Sequence, residues 1–179
     1  IPIQDDYYCA IGRLTKQKNF MFLCKAFKQV INKYSNIRLL IIGEGDQQKI
    51  ITRYIKKKNL EKNIFLIGFL DNIFYLLSRS KGFILSSLWE DPGFVLIESA
   101  MSNTLIFSSD CDTGPKDFLE NEKNKFIYKT NDMNSFLLNF EKLMKKSDEE
   151  KYKIRVLMKK SIKKLIFFNH YKSLEKIIS

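Results

Sequence analysis

Short, nearly continuous apolar segments alternate with amphipathic helical ones along most of this chain, and that alternation limits the fold more than any other feature. Ile37 to Ile42, Ile64 to Ile67, Gly82 to Leu85, Thr104 to Phe107 and Phe126 to Tyr128 read as strands, and another strand-like segment lies close to the start. Leu23, Ala26, Phe27, Val30, Ile31 and Tyr34 recur at helical spacing, with Lys25, Lys28, Gln29 and Asn32 between them. Ile50, Ile51, Tyr54 and Ile55 do the same after Gly43-Glu44-Gly45-Asp46, with Asp46 expected to cap that helix and Asp71 to open a short one through Ser78. Strands apolar on both faces and joined by helices belong in a parallel sheet covered on both sides. The expected fold is α/β, a doubly wound, Rossmann-like parallel sheet.

Ligands of such sheets bind beyond the carboxyl ends of the strands. The turns expected there are Gly12-Arg13, Gly43-Glu44-Gly45, Gly68-Phe69, Trp89 to Phe94 and Asp110 to Pro115, and the glycines concentrate in them. In the fourth turn, Glu90 and Glu98 bracket a Pro92-Gly93 break that opens the helix-compatible run Phe94-Val95-Leu96-Ile97. The first amides of that helix, near Gly93, Phe94 and Val95, lack intrahelical partners and form an anion site. Arg13 and Lys18 flank a strand-to-helix turn and can reach a diphosphate together. Glu98, in the second turn of its helix, leans toward the N-terminus and can reach a ligand lying over the first turn.

The 179 residues, 45% hydrophobic and 13% aromatic, suit one domain with a sizeable core. The chain opens on Ile1 without a methionine, so it is expected to be a piece of a longer polypeptide whose partner domain is missing. No apolar run approaches the roughly 20 residues of a bilayer span, and no signal peptide is visible. Cys9, Cys24 and Cys111 are odd in number and scattered, which fits reduced cytosolic thiols rather than a disulfide framework or a zinc site. The net charge of +11 fits a phosphorylated ligand, an anionic membrane surface or nucleic acid. From Lys151 onward nine basic residues face Glu175 alone, and Ile154, Met158, Ile162 and Leu165 share one face. This reads as a basic amphipathic helix over about residues 148–178, whose apolar face packs on the sheet or a missing domain, or else meets anionic lipid. His170, the only histidine, reads as a solvated residue near the end of that helix.

Glu90-x7-Glu98 after a strand resembles the signature of retaining family 4 glycosyltransferases of the two-domain GT-B type. Gly12-Arg13-Leu14 with Lys18-Asn19 resembles that family's GRL...KN segment, and Gly43-Glu44-Gly45 resembles its glycine turn. Ser109-Asp110-Cys111 with Gly114-Pro115 resembles a turn common among bacterial surface-polysaccharide members. The resemblance covers essentially the whole chain and implies the C-terminal, nucleotide-sugar-binding half of such an enzyme, without its N-terminal acceptor domain. It implies a catalytic role for Glu90, Arg13 and Lys18: the two cations on the diphosphate and Glu90 on the donor sugar's hydroxyls. It places Glu98 on the ribose hydroxyls, with Gly12, Gly43, Gly45, Gly68, Phe69, Pro92, Gly93, Phe94 and Val95 lining the donor. The base would be held through backbone at Gly68-Phe69-Leu70, with UDP the commonest nucleotide. It implies no cofactor, no metal and no protein nucleophile, the leaving phosphate helping to deprotonate the acceptor.

Two positions depart from the family pattern. Asn103-Thr104 stands where many members have Gly-x-Pro, and Asp117 stands where a glutamate commonly follows Gly-Pro. Asp110-Cys111-Asp112 also imitates the DxD metal motif of the other major glycosyltransferase fold, but that reading leaves Arg13, Lys18, Gly43, Gly45 and Glu98 unexplained. The expected function is transfer of a sugar from a nucleotide sugar to a glycan or lipid-linked acceptor, in the cytoplasm or peripherally on the inner membrane face. The isolated piece is expected to bind donor and turn over little. A non-enzymatic basic module for membrane or nucleic acid and a sugar-nucleotide epimerase are the alternatives.

Overall fold

Tyr7 and Tyr8, adjacent in sequence, serve opposite faces of one strand, as a period of two requires. Tyr7 Oη donates to Leu76 O at 2.8 Å. Tyr8 turns the other way, packing against Phe27 and Phe140 and donating to Met144 Sδ at 3.3 Å. Both faces of this strand are therefore buried, which is the condition for a central strand of a covered parallel sheet.

The computed structural model describes residues 6–90, 93–112, 115 and 126–162. Its strands are β1 (Tyr7–Ile11), β2 (Arg38–Ile42), β3 (Ile64–Gly68), β4 (Gly82–Leu85), β5 (Ile106–Ser109) and β6 (Phe126–Tyr128). They form one sheet in the order β3-β2-β1-β4-β5-β6, and every neighbouring pair is parallel. The helices are α1 (Phe20–Lys33), α2 (Gln48–Lys57), α3 (Phe74–Arg79), α4 (Phe94–Met101), α5 (Met133–Met144) and α6 (Asp148–Ile162). α1 touches α2 and α5, while α4 touches α3 and α6, so two helical layers sandwich the sheet. This is the doubly wound α/β architecture expected from the sequence. Strand order reverses between β1 and β4, and a crevice opens at that point beyond the carboxyl ends.

The α5 side of the core is aromatic. Phe107, Tyr128 and Phe136 meet with ring centroids 4.9–5.1 Å apart, and Phe140 and Phe22 extend the cluster. Such pairs add about 0.5–1.5 kcal/mol each beyond the burial of their surface. The far side of the sheet buries Val95, Leu96 and Ala100 of α4. Ile154 and Met158 of α6 are buried as well, and α6 packs on α4, so this helix spends these two apolar residues inside the fold.

Some local expectations need correction. Asp46 does not cap α2: the helix starts after Gln47 without a side-chain cap, because Asp46 Oδ2 accepts from Gln47 Nε2 at 3.0 Å. Asp71 does not open α3, which begins at Phe74 with Asn72 Oδ1 accepting from the Phe74 amide at 3.1 Å. The fifth strand runs Ile106–Ser109, two residues later than Thr104 to Phe107, since the Thr104 amide donates back to Ser99 O of α4 at 3.0 Å. Residues 163–178 of the basic segment, with Leu165 and His170, and Asp117 lie outside the described residues. No described helix is long and apolar enough to cross a membrane.

Cys9, Cys24 and Cys111 are free and buried. Burial pushes the Cys9 and Cys24 thiols from their ordinary value near 9 up to about 12, and it raises Cys111 as well. The unfolded chain therefore loses thiol protons first, and the stability contributed by keeping them neutral is full below about pH 9 and falls as pH rises toward 12. A disulfide reagent at pH 8 should modify these thiols no faster than the chain unfolds. Rapid labelling of more than one thiol in the native state would contradict the packing.

Candidate functional site

At the carboxyl ends of β1, β2 and β3 the chain turns on glycines that touch one another. Gly12 takes φ +149° and Gly43 φ +135°, backbone that side-chain-bearing residues rarely adopt, and a Cβ on Gly43 would lie 2.1 Å from Gly12 O. A Cβ on Gly45 would meet Leu14 O at 2.6 Å. Main-chain hydrogen bonds close the same contact: Gly12 N to Ile42 O at 3.0 Å, Leu14 N to Glu44 O at 2.8 Å and Gly43 N to Gly68 O at 2.8 Å. Three strand ends thereby become one floor.

Above that floor lies a cleft of about 510 Å³ lined by Gly12, Arg13, Gly43, Phe69 and Glu98 among others. Five of the residues singled out in the sequence thus come together, from β1, β2, β3 and α4. The cleft also takes in Glu44, Asp71 and Phe74. None of the three is among the site residues expected from the sequence, although Glu44 sits inside the second glycine turn and Asp71 follows the third. Phe69 and Phe74 are largely exposed, giving the cleft an apolar lip beside an exposed arginine.

A second cluster adjoins the first through Gly12. Lys18 folds back over it, so a Cβ there would lie 3.0 Å from Lys18 Cε. Lys18 Nζ donates to both oxygens of Glu90, at 2.6 Å to Oε1 and 2.8 Å to Oε2. Glu90 is only 3% exposed, and Ser87 Oγ also donates to its Oε1. The loops carrying the pair are stitched together independently: Ser86 Oγ to Lys18 O at 2.7 Å, Leu88 N to Gln17 O at 2.8 Å, and Gln17 Nε2 to Trp89 O at 2.9 Å. The pair therefore spans the gap between β1 and β4, where the strand order reverses.

Gly93, at φ +76°, begins α4 from the left-handed region, and its missing Cβ accommodates Leu96 Cδ1 and Glu90 Cβ. Val95 is buried and Phe94 is 67% exposed, and neither lines the cleft. Gly68, at φ +83°, makes the third turn without lining the cleft. Pro92 lies outside the described residues, as do Thr113 and Gly114 of the Asp110 to Pro115 turn. Asp110 Oδ1 accepts from Thr130 N and Thr130 Oγ1, both at 2.7 Å, tying the ends of β5 and β6 together. Among the described residues no group of three or more His, Cys, Asp or Glu side chains is placed to hold a metal ion.

Comparison with known proteins settles the family. Residues 1–164 match the profile described as Glycosyl transferases group 1. The chain belongs to the group 1 glycosyl transferases. An uncharacterised glycosyltransferase of Methanocaldococcus jannaschii is 42% identical over 114 residues, 64% of this chain and 28% of that protein. The Escherichia coli UDP-Gal:α-D-GlcNAc-diphosphoundecaprenol α-1,3-galactosyltransferase is 28% identical over 175 residues, 95% of this chain and 43% of that protein. A crystal structure of a variant of Staphylococcus aureus TarM, in complex with fondaparinux, α-GlcNAc-glycerol and UDP, superposes with a TM-score of 0.86 at 25% identity. That match covers 97% of this chain and 35% of the other. The chain thus spans less than half the length of each of these proteins, and its sheet and helices form the C-terminal domain of a GT-B glycosyltransferase.

In this group 1 domain the Lys18–Glu90 pair holds two loops together while largely buried in protein. Removing one partner of such a pair leaves the other buried and unpaired, whereas removing both leaves neither. Lys18→Met and Glu90→Gln should each lower stability by more than the double variant implies, with a coupling of about 1–3 kcal/mol in urea unfolding. Additive effects would mean that the contact does not operate in solution.

Proposed function

We propose that this chain is the donor-binding part of a retaining family 4 glycosyltransferase, which moves a sugar from a nucleotide sugar, UDP-linked in the first instance, to a glycan or lipid-linked acceptor. The observation that carries the reading is the meeting of Gly12, Arg13, Gly43, Phe69 and Glu98 in one cleft, with Lys18 and Glu90 beside it across the switch point.

In this reading Arg13 and Lys18 hold the diphosphate, and the first amides of α4 add a fixed positive dipole end. Negative charge grows on the phosphate as the sugar leaves, so cations and amides fixed in place stabilise the transition state more than the bound donor. Glu98 accepts the two ribose hydroxyls, and Glu90 accepts hydroxyls of the sugar. The backbone of Phe69-Leu70, led in by the Gly68 turn and with the exposed Phe69 ring beside it, forms the base end of the cleft. The glycine floor lets the nucleotide approach main chain directly. No protein nucleophile is assigned. The diphosphoundecaprenol in the Escherichia coli relative's name and the UDP held by the Staphylococcus aureus structure support the acceptor and donor classes.

The other half of the enzyme supplies the acceptor side, so the 179-residue chain binds donor and turns over little. The place of work is the cytoplasmic side of a membrane, where exposed lysines of α6 would face anionic lipid. The alternative of a purely basic binding module has little to stand on in the described residues: Lys146 and Lys153 are paired with Glu150 and Glu149, and Ile154 and Met158 of α6 are buried.

Calorimetric titration of this chain with UDP, GDP and ADP tests the reading. One nucleotide should bind saturably, and Arg13→Ala and Glu98→Ala should each weaken it about tenfold, the loss of a charge-assisted hydrogen bond or two. Absence of binding by all three at millimolar concentration would overturn it.

A further inference from the structure

We propose that Ser87 is a positioning residue: it keeps Glu90 in place for the donor sugar once the diphosphate has drawn Lys18 away. This rests on the donor-site reading above. Lys18 spends its ammonium on both oxygens of Glu90, at 2.6 and 2.8 Å. The same ammonium is the cation assigned to the diphosphate, so phosphate and carboxylate compete for one group. When phosphate wins, Glu90 is a carboxylate 3% exposed that has lost its cation. A buried charge of that kind needs another donor to stay put.

Ser87 supplies that donor. Its Oγ donates to Glu90 Oε1, and the residue is fully buried. Its own position is fixed from below, where Ser109 Oγ donates to Ser87 O at 2.8 Å. The two carboxylate oxygens are thereby unequal. Oε1 keeps Ser87 when Lys18 leaves, while Oε2, which is engaged by Lys18 at 2.8 Å, is released to accept a sugar hydroxyl. Phosphate recognition by Lys18 and sugar recognition by Glu90 become sequential uses of one polar cluster. Ser87 steers the second without touching the donor.

The test measures dissociation constants of this chain for UDP and for UDP-N-acetylglucosamine and UDP-galactose, taking the tighter-binding sugar. Ser87→Ala should leave UDP affinity within about twofold, yet raise the ratio of the sugar-nucleotide constant to the UDP constant about tenfold, the effect of one hydrogen bond to a charged group. Ser87→Thr should bring the ratio back, because it restores the hydroxyl. Adding Ser87→Ala to Glu90→Gln should change the ratio no further, since Ser87 acts only through Glu90. An unchanged ratio in Ser87→Ala, or parallel loss of both affinities with a lowered melting temperature, would overturn the proposal. Failure of unaltered chain to bind UDP or either sugar conjugate would instead bring down the donor-site reading itself, and this inference with it.

Discussion

Everything at the functional end of this molecule depends on how closely two turns can approach. A Cβ on Gly43 would stand 2.1 Å from Gly12 O, closer than any packing tolerates, so the ends of β1 and β2 can share one floor only while position 43 has no side chain. Gly12 in turn lies beneath Lys18, whose Cε would be 3.0 Å from a Cβ there. The glycines thus do two jobs at once. They bring three strand ends together, and they let the ammonium of Lys18 fold back toward β4.

From that floor the site extends across the reversal of strand order. The Lys18–Glu90 pair is the polar bridge over the gap between β1 and β4, and the hydrogen bonds from Ser86, Leu88 and Gln17 repeat the same link through less costly groups. A carboxylate as buried as Glu90 is stable there because a cation and a hydroxyl both reach it. On the proposed reading the arrangement is poised rather than inert: a diphosphate beside Arg13 would compete for the cation that Glu90 holds.

Much of this was legible in the sequence, and for identifiable reasons. Fully buried parallel strands write themselves as apolar runs, so the sheet could be read off, and the glycines fall at the carboxyl ends of β1, β2 and β3, where the turns were expected. Side-chain capping was less legible. Asp46 and Asp71 stand where a cap would suit, but Asp46 pairs with its neighbour Gln47 and α3 waits for Asn72, choices that depend on the loop's final path. Asn103 shows the opposite case, a departure from the family's glycine turn that the fold absorbs. It takes φ +57°, the left-handed conformation asparagine tolerates best after glycine. Ser87 and Gln17 carried no visible signal, because their importance comes from what lies across the crevice from them. The charge of +11 was the least informative feature, since the lysines of α6 described here are spread along a helix whose opposite face is core.

In the proposed mechanism one cation, Lys18, serves two anions at the switch point of this sheet. A crystal structure of the chain with bound UDP tests it most directly. The diphosphate should lie within hydrogen-bond reach of Arg13 and Lys18, the ribose over Glu98, and Lys18 Nζ should be withdrawn from Glu90 Oε2 while Ser87 Oγ still holds Oε1. A nucleotide bound outside the cleft, or a diphosphate seated in it with the Lys18–Glu90 pair unchanged at both oxygens, would contradict it.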